Sequence, residues 1–206
     1  MKFGAMGKLD LFGNHKREIW QQLCERIDGD FFRGNWRRHD RIEAFHGNWV
    51  VVIDTYTVDK MTYTRIRAPF VNRDDFQFRI YRSNSISRLA TRFGLTDIQV
   101  GIPEFDHHFI IRGSDERKLK MLFANPDVRE LINYQPKIFL ELKRDAYWFE
   151  KPKFPKGVNE LYFRTPSIIK DLERLHDLFE LFAVTLDHLC RIGTAEADPP
   201  RFFYDP

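Results

Sequence analysis

The sequence is poor in sulfur. Its 206 residues include only 2 Cys and 4 Met, against 20 Phe. Cys24 and Cys190 each lie on the apolar side of a segment with helical periodicity. Two isolated cysteines provide neither a disulfide framework nor a metal or redox pair. We therefore expect two unbridged thiols in a protein of the cytoplasm.

Long apolar runs are missing as well. No stretch approaches the roughly 18–20 apolar residues of a transmembrane helix. The first ten residues contain no apolar run of the length that a signal peptide needs. The sequence thus predicts no transmembrane segment and no secretory leader, in agreement with a cytoplasmic location.

Motifs that cradle phosphates or carry common hydrolytic chemistry are absent. The sequence has no G-x-G-x-x-G, no G-x-x-x-x-G-K-[ST], no G-x-S-x-G and no H-E-x-x-H. These absences argue against dinucleotide-binding and P-loop proteins, standard serine hydrolases and zincins. We expect no cofactor.

The net charge of +3 conceals an uneven distribution. Residues 1–100 carry 17 Lys and Arg against 12 Asp and Glu, whereas residues 101–206 carry 16 against 18. A modestly basic half attracts phosphate groups or an anionic membrane surface. It lacks the dense basic stripe that is typical of nucleic-acid-binding proteins. A peripheral membrane-surface protein remains one alternative, whereas nucleic acid is not the expected partner.

Strand-forming chemistry dominates residues 41–81. Gly47-Asn48 and Asp59-Lys60 are two-residue turn signals between β-rich runs, and a fourth run alternates apolar and polar residues. Links this short do not allow a crossover, so we predict antiparallel pairing. The predicted four-stranded meander has strands at 41–46, 49–58, 61–70 and 76–81.

Apolar residues at helical spacing predict helices on both sides of this region. The clearest helix runs from residue 166 or 167 to about 192, and another covers about 15–28 after Asn14 as its N-cap. The remaining predicted elements are helices at about 85–93, after Ser114 and at 126–133, and strands at 106–112, 137–142, 146–150 and 160–164.

These elements indicate an α+β fold. An antiparallel sheet would pack against the long C-terminal helix, because a helix with so many apolar residues must bury them, and shorter helices would lie at the edges. No internal repeat or Gly/Ser-rich linker divides the chain. We therefore predict a single domain over residues 14–193, between a flexible tail at 1–13 and an irregular tail at 194–206.

One candidate site is a sheet face rich in arginine and tyrosine. Strand alternation places Arg65 and Arg67 on one face with Tyr63, and Arg79 and Tyr81 in the next predicted strand have the same parity. Guanidinium groups on adjacent strands can share a phosphate or carboxylate. The competing interpretation is a solvent-facing sheet on which Arg and Tyr stack for stability.

A second candidate site combines carboxylate and imidazole groups. In an extended strand, Glu104, Asp106 and His108 share one face while His107 points to the other. Asp106 and His108 can therefore hold a metal ion, with His46 as a possible third ligand. This reading gives the alternative function of a metal-assisted hydrolytic enzyme.

Five segments resemble an uncharacterised bacterial domain family of unknown function. They share its T-x-T-R and I-Y-R strands and its P-x-F-D-x-x-F-x-x-x-G-x-D motif, within about residues 60–132. Asp106 matches this motif, whereas relatives have basic residues where His107 and His108 stand here. The resemblance implies a bacterial source and no known activity. The matching segments are residues 62–67, 78–82, 100–106, 109–115 and 126–131.

Together, these observations favour a non-enzymatic binding module. Its ligand would be an anionic small molecule or a protein partner held on the arginine and tyrosine face. The sequence does not identify that ligand and does not predict an oligomeric state.

Overall fold

The computed structural model describes residues 6–35, 39–83, 96–143 and 154–200, with the backbone alone for residues 6–14. The helix predicted at 85–93 and the strand predicted at 146–150 lie outside the described residues. Among the described residues, no helix has the length and hydropathy to cross a membrane.

The described residues form nine strands and five helices. The strands are β1 (Asp30–Phe32), β2 (Arg41–His46), β3 (Trp49–Val58), β4 (Met61–Val71), β5 (Phe78–Arg82), β6 (Thr96–Asp97), β7 (Phe109–Gly113), β8 (Phe139–Lys143) and β9 (Val158–Thr165). The helices are α1 (Met6–Ile27), α2 (Pro103–His108), α3 (Glu116–Ala124), α4 (Pro126–Asn133) and α5 (Leu172–Arg191).

All nine strands belong to one sheet with the order β1-β2-β3-β4-β9-β8-β5-β7-β6. Every pairing between neighbours is antiparallel. The long helix α5 and the mixed composition confirm the predicted α+β fold with an antiparallel sheet. The first three strands of the predicted meander are consecutive neighbours, as expected.

The predicted position of the fourth strand beside β4 is wrong. β5 pairs with β8 and β7, and β9 occupies the position beside β4. The segment between β4 and β5 is not a tight hairpin turn: Asn72 forms a bridge with Ala195, and its side chain binds the carbonyl of Phe76 at 3.0 Å. These contacts lead the chain away from β4.

The hydrophobic core lies between one face of the sheet and the helices. Residues of alternate parity on the strands, such as Ile53, Ile66 and Phe163, are fully buried there. Trp20 of α1 is also fully buried, and its indole N–H donates to the carbonyl of Ile169 at 3.1 Å. One set of alternate strand residues therefore packs against the apolar side of α5 in a single apolar layer. On β3, β5 and β9 most residues of the other face are buried as well.

Several element boundaries differ from the predictions. α1 begins at Met6, before the predicted cap at Asn14. Asp115 rather than Ser114 caps α3, its side chain accepting from the amide of Lys118 at 3.0 Å. α5 begins after Asp171, later than residue 166. α4 spans the predicted residues 126–133, and the side chain of Asn125 caps it by accepting from the amide of Asp127.

The strand predicted at 106–112 is the largest local error. Residues up to His108 form the helix α2, and only β7 is extended. Pro103 occupies the first turn of α2, where a missing N–H costs nothing. Side chains of Glu104, Asp106 and His108 therefore do not alternate across a strand.

Both cysteines are free thiols, as predicted. Cys24 is buried and Cys190 is partly buried. Burial raises the pKa of the Cys24 thiol to about 11, and the nearby Asp30 carboxylate acts in the same direction.

Candidate functional site

The face of the sheet opposite the helices carries polar and aromatic side chains, and we call it the polar sheet face. It takes the alternate residues of β3, β4, β9, β8 and β5, as the strand registers show. Its polar and aromatic members on these strands are Asp54, Tyr56, Tyr63, Arg65, Arg67, Arg79, Tyr81, Phe139, Glu141, Lys143, Glu160, Tyr162 and Arg164.

Two of the predicted arginines bind the same carboxylate. Arg65 contacts Asp54 through two hydrogen bonds of 2.7 Å, and Arg67 contacts it through a third of 2.6 Å. The Asp54 side chain is only 10% exposed. Burial lowers the pKa of Arg65, but the bonds to Asp54 more than offset this, so the pKa shift is upward. The trio retains one net positive charge.

Arg79 belongs to a separate ion pair. Its guanidinium donates to Glu141 at 3.0 and 2.7 Å and lies over the ring of Phe139 at 5.2 Å. Tyr81 on the same strand is almost fully buried. β9 and β8 separate β5 from β4, which puts Arg79 roughly 14 Å from the arginines of β4 at typical strand spacing. The expectation that these arginines lie on adjacent strands is therefore wrong.

The arginine that sequence reasoning missed is Arg164. It lies on β9 directly opposite Arg65, and its guanidinium stands 5.9 Å from the ring centre of Tyr63 and 4.7 Å from that of Phe139. Within the described part of the chain, no carboxylate forms an ion pair with Arg164.

Two tyrosines complete the surroundings of Arg164. The hydroxyls of Tyr56 and Tyr162 are 3.3 Å apart, and Tyr56 stacks on Tyr63 with 5.1 Å between ring centres. We call Tyr56, Tyr63, Phe139, Tyr162 and Arg164 the Arg164 cluster.

The protonation states of this cluster favour hydrogen-bond donation. Burial raises the pKa of Tyr162, and its hydrogen bond with Tyr56 raises it further. Burial lowers the pKa of Arg164, but a hydrogen bond with Tyr56 outweighs that effect, so the pKa rises. Tyr162 and Arg164 therefore keep their protons at neutral pH.

A weak signal for this cluster was present in the sequence. Glu160, Tyr162 and Arg164 alternate with Leu161 and Phe163, as on a strand with one polar face. Nothing local indicates that this strand lies beside β4, because the pairing joins segments that are distant in sequence.

The candidate metal residues lie apart. The carboxylate of Asp106 accepts backbone N–H groups of Val100 at 2.9 Å, Gly101 at 2.9 Å and Ile102 at 3.1 Å. His108 is exposed at the end of α2. Among the described residues, no group of three His, Cys, Asp or Glu side chains has the arrangement of a metal site.

His46, the third ligand considered, lies toward the opposite edge of the sheet on β2. Its Nε2 is 3.1 Å from the carboxylate of Asp187 on α5, and its ring stacks on Trp49. The strand order separates β2 from β7, which follows α2, by five other strands. The structure therefore does not bring His46 to Asp106 and His108.

An open groove of about 600 Å³ lies on the outer side of α3. Its lining residues all come from this one helix, so the groove has no facing wall among them. They are Glu116, Arg117, Lys120, Met121 and Ala124.

No family model and no curated protein matches the chain. Among solved structures, the chain is similar to the crystal structure of the mycobacterial trehalose monomycolate transport factor A, TtfA. The TM-score is 0.52 and the sequence identity is 8%, over 92% of this chain and 98% of that chain. At this identity the similarity shows a shared α+β fold.

Proposed function

We propose that this protein is a non-enzymatic binding module and that its polar sheet face binds an anionic group of a small molecule or protein partner. The observation that supports this is a charge imbalance. On β3, β4, β9, β8 and β5, five cationic side chains share the face with three carboxylates, and the flanking strands add Arg41, Glu43 and Arg112. The five cations are Arg65, Arg67, Arg79, Lys143 and Arg164, with Asp54, Glu141 and Glu160 as the acids.

Partial burial of the arginines strengthens their contacts with anions. The side chains of Arg65 and Arg67 are 25% and 14% exposed. Partly desolvated guanidinium groups held on rigid strands bind anions with little loss of side-chain entropy. A charge-assisted hydrogen bond of this kind contributes roughly 1.5–3 kcal/mol.

A non-enzymatic role also accords with the structural neighbour TtfA, which is a transport factor. The trehalose monomycolate in the name of TtfA is not proposed as a ligand of this protein.

The test is a titration of the protein with small anions. Sodium phosphate, sulfate, acetate and citrate are compared with sodium chloride at equal ionic strength, by calorimetry and by thermal unfolding. We expect at least one multivalent anion to raise the melting temperature of the wild type. Arg164→Gln should abolish this shift.

The matched control is Arg117→Gln, which removes one positive charge from the exposed side of α3. This variant should retain the full anion response. Equal responses of both variants would show that the anions act on overall charge and would overturn the proposal.

A further inference from the structure

We infer that the Arg164 cluster is a subsite for a phosphoryl group, that is, a tetrahedral oxyanion with close to two negative charges. This inference rests on the proposed function and specifies both the place and the ligand class. Its chemistry is shared by free phosphate compounds and by lipid phosphate headgroups.

The side chains of the Arg164 cluster carry more hydrogen-bond donors than their contacts with one another use. The neighbouring hydroxyls of Tyr56 and Tyr162 carry two hydrogens, and the bond between their oxygens uses one. Because the Arg164 guanidinium only donates, its bond with Tyr56 uses an oxygen lone pair. As far as the described residues are concerned, one hydroxyl hydrogen and further guanidinium N–H groups remain for a ligand that only accepts. An oxyanion is such a ligand.

The groups around Arg164 carry an excess of positive charge. Asp54 neutralises one of the two guanidinium groups that bind it, and Arg164 adds another positive charge beside Arg65. The carboxylates of Glu160 and Glu141 also act on Arg65 and Arg164. With Arg79 and Lys143 included, β3, β4, β9, β8 and β5 place five cations and three carboxylates on this face, a net charge of +2. A phosphate monoester carries about −1.5 to −2 at neutral pH, whereas a carboxylate would leave about one positive charge uncompensated.

The polar sheet face is exposed to solvent at the end where β3 turns into β4. Tyr56 and Tyr63 are half-buried beside the β3–β4 turn. At that turn, Val58 is 50% exposed and Met61 is 48% exposed. Arg164 is itself half-buried, whereas Tyr162 is only 7% exposed. We therefore place the approach of a phosphoryl group at this end of the polar sheet face, where an attached apolar group would contact Val58 and Met61.

The experiment measures binding of inorganic phosphate and sulfate, with acetate and chloride at equal ionic strength as comparison anions. The wild type should bind phosphate and sulfate more tightly than acetate. Arg164→Gln should weaken phosphate binding by tenfold or more. Tyr162→Phe should weaken it several-fold, and Arg117→Gln should leave it unchanged.

A second substitution and a vesicle-binding assay complete the experiment. If Arg164→Gln fails to fold, Arg164→Lys replaces it and should also weaken phosphate binding, because it keeps the charge but loses the planar donor fork. Vesicles of phosphatidylcholine with and without phosphatidic acid identify the source of the phosphoryl group. Arg164-dependent binding to phosphatidic acid vesicles supports a lipid headgroup, and binding of inorganic phosphate alone supports a free phosphate compound.

Two results would contradict the inference in different ways. Acetate binding as tightly as phosphate, with loss in Arg164→Gln, would overturn the phosphoryl preference and leave the proposed anion-binding function intact. No binding of any anion to the wild type, in solution or on vesicles, would overturn both.

Discussion

Arg65 and Arg164 are direct cross-strand partners on β4 and β9, so two positive charges face each other in the middle of the sheet. Like charges in this position destabilise a sheet by roughly 0.2–1 kcal/mol. Asp54, the partner of Arg65 on its other side, offsets part of this repulsion. The unusual pair marks the place where an external negative charge would be stabilising.

The first prediction concerns Asp54. Asp54→Asn leaves Arg65 and Arg67 partly buried without their shared carboxylate, and we expect a loss of roughly 3–5 kcal/mol in the free energy of unfolding. Urea denaturation at neutral pH measures this change. The exposed Glu18 serves as a control, since Glu18→Gln should cost less than about 0.5 kcal/mol. A loss below 1 kcal/mol for Asp54→Asn would show that the buried trio contributes little.

The second prediction is a pH dependence that arises from Asp40. Burial raises the pKa of this carboxyl, but hydrogen bonds from Arg17, Lys16 and the amide of Gly34 outweigh it and lower the pKa from 3.8 to about 2. Because the folded-state pKa is depressed, the stabilisation is present above about pH 4 and is lost as the pH falls towards 2. Its full size is roughly 2 kcal/mol.

Asp40→Asn tests this assignment. The wild type should exceed Asp40→Asn in its free energy of unfolding at pH 5. This difference should decrease by about 1 kcal/mol when the pH is lowered from 5 to 3. Burial of Lys16 lowers the pKa of its amine despite the bond to Asp40, but this amine stays charged at acidic pH and does not contribute there. A difference that is constant with pH would contradict the prediction.

The third prediction separates a structural role of Asp106 from a metal-binding one. Asp106→Ala removes the acceptor of three backbone N–H groups, which should cost roughly 1–3 kcal/mol. His108→Ala should cost less than about 0.5 kcal/mol because the side chain is exposed. Denaturation is followed with and without added zinc. Zinc-dependent stabilisation that both variants lose would instead support the metal-assisted alternative.

The fourth prediction concerns thiol reactivity. A titration of the denatured, unreduced protein should find two free thiols. In the native protein, Cys24 should react more slowly than Cys190, because Cys24 is buried and its pKa is raised to about 11, and only the thiolate is nucleophilic. Burial raises the pKa of Cys190 as well, but this side chain is only partly buried. Mass spectrometry after timed alkylation distinguishes the two cysteines. Faster labelling of Cys24 would contradict its buried position.

Local sequence patterns predicted the elements that depend on local interactions. The turn signals at Gly47-Asn48 and Asp59-Lys60 gave the β2–β3–β4 hairpins, and helical periodicity gave α5. The predicted strand over 106–112 is wrong at α2. The Asp106 carboxylate accepts hydrogen bonds from the three amides that precede the helix. A pattern of apolar residues does not report such a contact.

The sequence alone determined the α+β class, the free thiols and an arginine-rich strand with one polar face. Only the tertiary structure decided which charges meet there. β9 inserts between β4 and β8, bringing Arg164 to Arg65 and moving Arg79 to a separate pair with Glu141. Side-chain alternation is a local property of a strand, whereas the choice of neighbouring strand depends on how all the apolar faces are buried together.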